Sequence, residues 1–401
     1  VAFPITPDRQ LILLPARNAQ EASAWGSATT EYVARYQTIH LARDPSQVDW
    51  RGYRHVTLVR PDFWPDDLIL IIKQVNPAIR LDRIPVDTPE ALQAVLSVRL
   101  AFDWRYGPQQ EGDWLKLWPR GIALIGLHGR SDGELQEADL AIIAKARIEA
   151  VKLTSTATFR SVEHLRAINP DMFIIIRPFV SFQERGGGRR VTPEEFFEWT
   201  APDVDRFYSQ DASIRYFELH NEPNTTVDGW GSSWNDGAEF GAWFLRVLEL
   251  FRQRFPEGLF GFPGLSPGPT TSQRMDDRLF LSQASAAAQQ ADWIGLHSYW
   301  VNEREMSDER LGFAFSAYRR SFPEKVLFIT EFGNPFQPKP EVAEQYARYY
   351  ATLRHIPGLG AVIAYVVSTS SSTESPLWAW RDEAGNDMGI AGRVGERPYI
   401  P

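Results

Sequence analysis

The sequence predicts an α/β protein: an eight-fold parallel β/α barrel of the TIM type over residues 119–401, preceded by a small α/β module over residues 1–118. Three observations predict it. From Gly121 onward, short apolar runs alternate with longer amphipathic ones, the signature of parallel strands joined by crossover helices. Eight such runs are found, and the ~280 residues that hold them suit an eight-fold barrel with loops to spare. Two of the runs end on glutamate-containing motifs, and a strand that carries a carboxyl group to its C-terminal tip is how such a barrel builds a site.

Taken in order, the strands are expected at Ile122–Leu127, Ala150–Leu153, Phe173–Arg177, Tyr216–His220, Leu259–Phe262, Trp293–His297, Val326–Thr330 and Ala361–Val367. Between them, amphipathic patterns predict helices at Glu134–Ala146, Pro193–Thr200, Glu239–Arg254, Asp277–Gln289, Glu309–Arg320 and Glu341–His355. An open doubly wound sheet is the alternative, and it calls for a glycine-rich phosphate loop after its first strand. Gly126-Leu127-His128-Gly129 does not supply that pattern. In the first 118 residues, Tyr53–Val59 and Ala78–Ile84 read as strands, Pro65–Gln74 and Pro89–Phe102 as helices. The Pro- and Trp-rich stretch Trp104–Pro119 is the expected boundary. This module carries no catalytic constellation; an accessory packing domain is expected, with a carbohydrate- or cell-wall-binding module as the other reading.

Composition narrows the function classes. With 43% hydrophobic and 23% charged residues the chain is an ordinary globular one. A net charge of −9 removes any general attraction to phosphate backbones, so no nucleic-acid partner is expected. No apolar stretch approaches the ~20 residues of a membrane span. The chain has no cysteine, which excludes disulfides, thiolate metal sites and cysteine nucleophiles. Seven histidines occur without a His-x-x-x-His or His-Glu-x-x-His pairing, so neither metal nor cofactor is expected. Val1-Ala2-Phe3-Pro4 lacks a basic start followed by an apolar core, so a signal peptide is absent or already removed. An extracellular or cell-envelope location is expected ahead of a cytoplasmic one; oligomeric state is left open. The 14 tryptophans serve equally as core or as sugar-stacking platforms.

The two motifs are Phe217-Glu218-Leu219-His220-Asn221-Glu222-Pro223-Asn224 and Phe328-Ile329-Thr330-Glu331-Phe332-Gly333. Paired carboxyl groups at two strand tips are the equipment that cleaves glycosidic bonds. Both motifs resemble the fourth- and seventh-strand motifs of clan A glycoside hydrolases, the retaining β-glycosidases that include family 5 cellulases and family 39 enzymes. The resemblance covers roughly residues 119–370 and implies a retaining hydrolase of β-linked oligo- or polysaccharides. It implies Glu222 as acid/base, Glu331 as nucleophile and Asn221 as the partner of the substrate's 2-hydroxyl. His297 and Tyr299 in Gly295-Leu296-His297-Ser298-Tyr299-Trp300 match a His-x-Tyr pattern of the clan, whose tyrosine hydrogen-bonds the nucleophile.

Arg177, closing the third strand, is expected to supply a cation to the nucleophile or to pair with a buried carboxylate such as Glu218. In many clan members the arginine near the nucleophile comes from an earlier strand. His128, at the first strand's tip, falls on the same face. Trp230 and Trp234 in the loop after Asn224 are expected to line the cleft. The clan's strand-eight tryptophan has no match in Tyr365-Val366-Val367-Ser368-Thr369, so either Trp378 or Trp380 folds back in its place or the −1 subsite is shaped differently. Arg185-Gly186-Gly187-Gly188-Arg189-Arg190 lacks the Lys-Ser/Thr ending of a phosphate loop and reads as a rim loop. Two readings from other classes stay open: a non-catalytic carbohydrate-binding barrel, and an envelope or assembly protein whose barrel is a scaffold.

Overall fold

A computed structural model describes residues 9–65, 67–76, 79–101, 105, 118, 120, 122–354, 356, 358–369 and 375–397. Most of the expected boundary Trp104–Pro119 lies outside these residues. The chain divides into two compact units, one running to Ile122 and including Ala351–Pro357, the other made of Ala123–Tyr350 and Gly358–Ile400.

The first unit holds a four-stranded, all-parallel sheet of β1 (Gln10–Leu13), β2 (Ile39–Ala42), β3 (His55–Val59) and β4 (Arg80–Ile84) in the order β2-β1-β3-β4. Side chains alternate across it. Leu11, Leu13, Val56 and Leu58 pack with Leu68 and Ile72 of the helix Leu68–Val75, while Ile12, Val59 and Ile84 pack with Trp25, Tyr32, Leu92 and Leu96 of the other helices. Both faces are thus covered, as a parallel sheet requires. β1, β2 and the helix Ala19–Ala28 were not expected from the sequence; β1 opens on the polar Gln10, and β2 has exposed residues at its centre. The Asp82 carboxylate is buried in the fork of Arg99, at 2.5 and 3.0 Å, and takes the Thr57 hydroxyl as well.

The second unit is a closed, all-parallel barrel of eight strands, with the expected TIM-type architecture. In chain order they are β5 (Leu124–His128), β6 (Ala150–Thr154), β7 (Phe173–Arg177), β8 (Tyr216–Glu218), β9 (Leu259–Phe262), β10 (Trp293–Tyr299), β11 (Leu327–Gly333) and β12 (Leu359–Ala364). β12 pairs back onto β5 and closes the ring. All eight expected strands are present, shifted by a few residues at their ends.

The helices differ more. The one expected to stop at Thr200 runs from Pro193 to Tyr208 through Pro202, because its buried stripe of Phe196, Thr200, Val204 and Phe207 continues past the proline. The one expected over Glu309–Arg320 is only Phe315–Ser321. Gly312 lies where a Cβ would come within 2.1 Å of the Met306 carbonyl oxygen, so the chain turns tightly there. A helix at Phe159–Ile168 was not expected.

After β12 the chain is tied back to the first barrel helix, Glu137–Lys145. The buried Asp139 carboxylate accepts from Arg381 Nε at 2.6 Å, from Ser368 Oγ at 2.7 Å and from the Gln136 amide at 2.8 Å. Asp139→Ala strands a buried guanidinium, and breaking such a pair costs about 3–5 kcal/mol. A lowered urea midpoint is the expected result; an unchanged one would mean that packing alone holds this segment.

Candidate active site

All barrel strands run parallel, so their C-terminal ends share one rim. The tip of β8 is built by an unusual backbone. His220 has φ 91° and Glu222 has φ 32°, left-handed values that cost side-chain-bearing residues energy and need support. Support comes from behind. The His220 ring packs within 4.8–6.2 Å of Phe182, Phe196, Trp234, Phe240 and Trp243, and burial pushes its pKa down to about 4, so it sits there as a neutral ring. The Glu222 amide donates to the Gly264 carbonyl at 3.0 Å, and its carboxyl points forward to His297 Nδ1 at 2.8 Å.

Glu331, in β11, is surrounded by donors. Tyr299 Oη donates to Oε2 at 2.6 Å, while Lys152 Nζ at 2.9 Å and Arg177 at 3.3 Å meet Oε1. Burial opposes ionisation, but His297, Lys152 and Arg177 together overcome it and hold the carboxyl well below the usual range. Tyr299 moves the other way: burial and the charge of Glu331 push its phenol well above 10. Lys152 also binds Glu218 Oε2 at 2.7 Å, and Glu218 Oε1 takes Thr330 Oγ1 at 2.7 Å and the Gly264 amide at 3.1 Å. A Cβ on Gly295 would come within 2.7 Å of that oxygen, so the glycine leaves room for the carboxylate.

The carboxyl groups of Glu222 and Glu331 and the imidazole of His297 each place an atom within 4.8 Å of the other two. Such a trio could surround a cation, yet Glu331 already faces Lys152 and Arg177, and their charge repels one. His128, the last residue of β5, donates from Nδ1 to the Gly129 carbonyl at 2.7 Å, which leaves Nε2 as an acceptor. That Nε2 is buried without a partner, 3.9 Å from Glu331 Oε1, and burial lowers the ring's pKa to about 3.

Asn221 is clamped at both ends of its amide: Oδ1 accepts from Arg177, and Nδ2 donates to Asp228 Oδ2 at 3.2 Å. The tryptophans separate. Trp378 is half-buried and meets the Tyr299 ring edge-on at 5.1 Å and the Tyr365 ring at 5.9 Å, so it reaches the Glu331 side of the site. Trp380 is fully buried beside Tyr346, away from any sugar. Trp234, expected in the cleft, is instead 1% exposed in the aromatic packing behind His220, where its indole N–H holds the Pro223 carbonyl at 2.6 Å. Trp230 is half-buried and donates to Asn235 within its own loop. In the arginine-rich rim loop, Arg189 pairs with Glu195 at 2.6 Å and Arg185 lies over the Trp199 ring.

Lys152, Asp228 and Tyr365 were not singled out from the sequence. A signal existed for the first: a lone lysine inside the apolar run Ala150–Thr154 must be paired if buried. Arg177 supplies the expected cation to Glu331 at 3.3 Å, and it is Lys152 rather than Arg177 that pairs with Glu218.

No protein-family model and no curated protein sequence matches the chain. Among solved structures it is similar to GH5_18 from Streptomyces cattleya in complex with GlcNAc, at 13% identity, covering 68% of this chain and 79% of that one with a TM-score of 0.50. A GH128 (subgroup II) endo-β-1,3-glucanase from Pseudomonas viridiflava matches at 14% identity over 69% and 98% of the two chains, with a TM-score of 0.45. An endo-1,4-β-D-mannanase from Thermotoga petrophila matches at 12% over 68% and 98%, with a TM-score of 0.44. At such identities the likeness is one of fold, carried by the first of these. Among the described residues no helix is long and apolar enough to cross a membrane.

Lys152→Met leaves Glu218 and Glu331 buried without their shared cation, a loss of about 3–5 kcal/mol. Both carboxyls are held low in the folded chain, so the stability they contribute is present above the unfolded carboxyl pKa and is lost as pH falls through the folded values. In the variant these carboxyls take up protons readily, so its deficit against wild type is largest near about pH 7 and narrows toward about pH 4. Urea midpoints at the two pH values measure it; equal deficits would mean that the lysine acts by packing alone.

Proposed function

We propose that the chain is a clan A glycoside hydrolase that cleaves β-linked oligo- or polysaccharides with retention of configuration. One observation carries the reading: carboxylate oxygens of Glu222 and Glu331 lie within 4.8 Å of each other at the tips of β8 and β11, in opposite electrostatic settings. Retaining glycosidases hold their carboxyls about 5–5.5 Å apart, whereas inverting ones leave about 6.5–9.5 Å for a water.

Glu331, kept ionised by Lys152 and Arg177, attacks the anomeric carbon, and Tyr299 Oη fixes its second oxygen. Glu222 faces no lysine or arginine at ion-pair distance among the described residues; it gives its proton to the departing glycosidic oxygen and then, as base, takes one from the water that releases the sugar. His297, against Glu222 at 2.8 Å and Glu331 at 3.7 Å, holds the two in register. The clamped Asn221 amide has one N–H left for the 2-hydroxyl, while His128, 0% exposed, backs Glu331 from inside the barrel and does not reach the sugar. Trp378 forms the apolar wall on the Tyr299 side. A polymeric substrate of this kind fits an extracellular or envelope location.

Two experiments test the assignment. Glu331→Ala abolishes turnover of aryl β-glycosides with the fold retained, and added azide restores product of inverted configuration. An active variant with unaltered stereochemistry would remove Glu331 as nucleophile. Glu222→Ala slows substrates with poor leaving groups by about 10²–10⁴-fold while sparing activated aryl glycosides; equal losses on both classes would make Glu222 structural. Absence of turnover by the wild-type chain across β-glucans, mannans and aryl β-glycosides would favour a sugar-binding barrel.

A further inference from the structure

Asp228 lies six residues beyond Glu222, in the loop that leaves the β8 tip, and neither sequence motif contains it. Its Oδ2 meets Asn221 Nδ2 and Thr225 Oγ1, each at 3.2 Å. Thr225 is bound in turn to the Glu222 carbonyl, through its hydroxyl at 3.0 Å and its amide at 2.8 Å. One carboxyl thus gathers the amide that faces the sugar and the turn that carries the acid. We infer that Asp228 is a positioning residue for the acid/base half of the site: it fixes the orientation of Asn221 and braces the turn that carries Glu222. The inference rests on the glycosidase reading above.

The orientation follows from donors and acceptors. Arg177 offers only N–H groups, so Asn221 must turn Oδ1 toward it, and Asp228 offers an acceptor to the Nδ2 at the other end. A flipped amide would lose both bonds. This leaves the second N–H of Nδ2 in a fixed direction for a substrate hydroxyl.

The charges of Glu222, in its own loop, and of Arg177, at the end of β7, act on Asp228. Burial first, and then the negative charge of Glu222, push the Asp228 carboxyl up to about 7, with Arg177 opposing. The two cations buried nearby, Lys152 and Arg177, are already matched by Glu218 and Glu331. Asp228 therefore takes up a proton near neutral pH, and a protonated carboxyl still offers its carbonyl oxygen to Asn221 Nδ2.

The test compares the full-length wild type with Asp228→Asn and Asp228→Ala, using an aryl β-glycoside with a poor leaving group. Asp228→Asn removes the charge but keeps an oxygen for Asn221. With the clamp kept, its KM is expected to stay near the wild-type value. Asp228→Ala, with the amide unclamped, is expected to raise KM by about fivefold. A KM that Asp228→Ala leaves unchanged, or that Asp228→Asn raises as much, overturns the inference while leaving the glycosidase reading intact, provided Glu222→Ala still shows its leaving-group dependence. If Asp228→Ala loses that proton-dependent activity and Glu222→Ala does not, Asp228 is itself the acid and the positioning role is wrong. A wild type inactive on every glycoside ends both readings together.

Discussion

The ammonium group of Lys152 sits fully buried in the barrel, 2.7 Å from Glu218 and 2.9 Å from Glu331, and the rest of the site depends on that placement. A buried lysine tolerates its loss of hydration only when paired and hydrogen-bonded. Here one cation serves two carboxylates from two strands, β8 and β11, and Arg177 from β7 supplies a second positive charge on the Glu331 side. The pairs balance, and together they hold the Glu331 carboxyl low. Glu331 lies inside the cluster; Glu222, with its side chain 20% exposed, lies outside and contacts it through His297. Under the proposed glycosidase reading, the division of labour between two chemically identical side chains follows from where the cations are.

Neighbouring elements are shaped to this cluster. Gly295 carries no Cβ where Glu218 needs the space, and Thr330, next to Glu331 in the chain, turns its hydroxyl inward to Glu218. Successive residues of a strand point to opposite faces, but at the end of β11 the pairing with β10 shifts register between Leu296 and His297. Through that irregularity Thr330 and Glu331 both reach the cluster. The β8 tip is held differently, by packing: a neutral histidine in an aromatic surround anchors a turn whose φ values are costly. Trp234 belongs to that support, and its indole N–H on the Pro223 carbonyl pins the residue after Glu222. Sites built this way keep their geometry because each reacting side chain is backed by one that cannot move.

Much of this was legible in the sequence. Eight apolar runs alternating with amphipathic ones can bury themselves in few ways, so the barrel followed from periodicity, and the two motifs followed from their positions at run ends. What pattern reading missed falls into two kinds. Short or half-polar elements such as β1 and β2 carry too little periodicity to stand out, since their burial is created by the helices laid over them. Residues such as Trp234 and Trp380 have the right chemistry for a sugar platform, but whether an indole faces solvent or core is settled by which loops cover it.

The sequence by itself determined the architecture and the place of the two glutamates on it, because both are written in local order: a repeat of run lengths, and a carboxyl at the end of a strand. Only the tertiary structure decided which cation serves which carboxylate, because Lys152, Glu218 and Glu331 lie on three strands and meet only when the barrel closes. Contacts between residues so far apart leave no periodic trace. The lone lysine in Ala150–Thr154 announced that it needed a partner; the closed ring of strands supplied two.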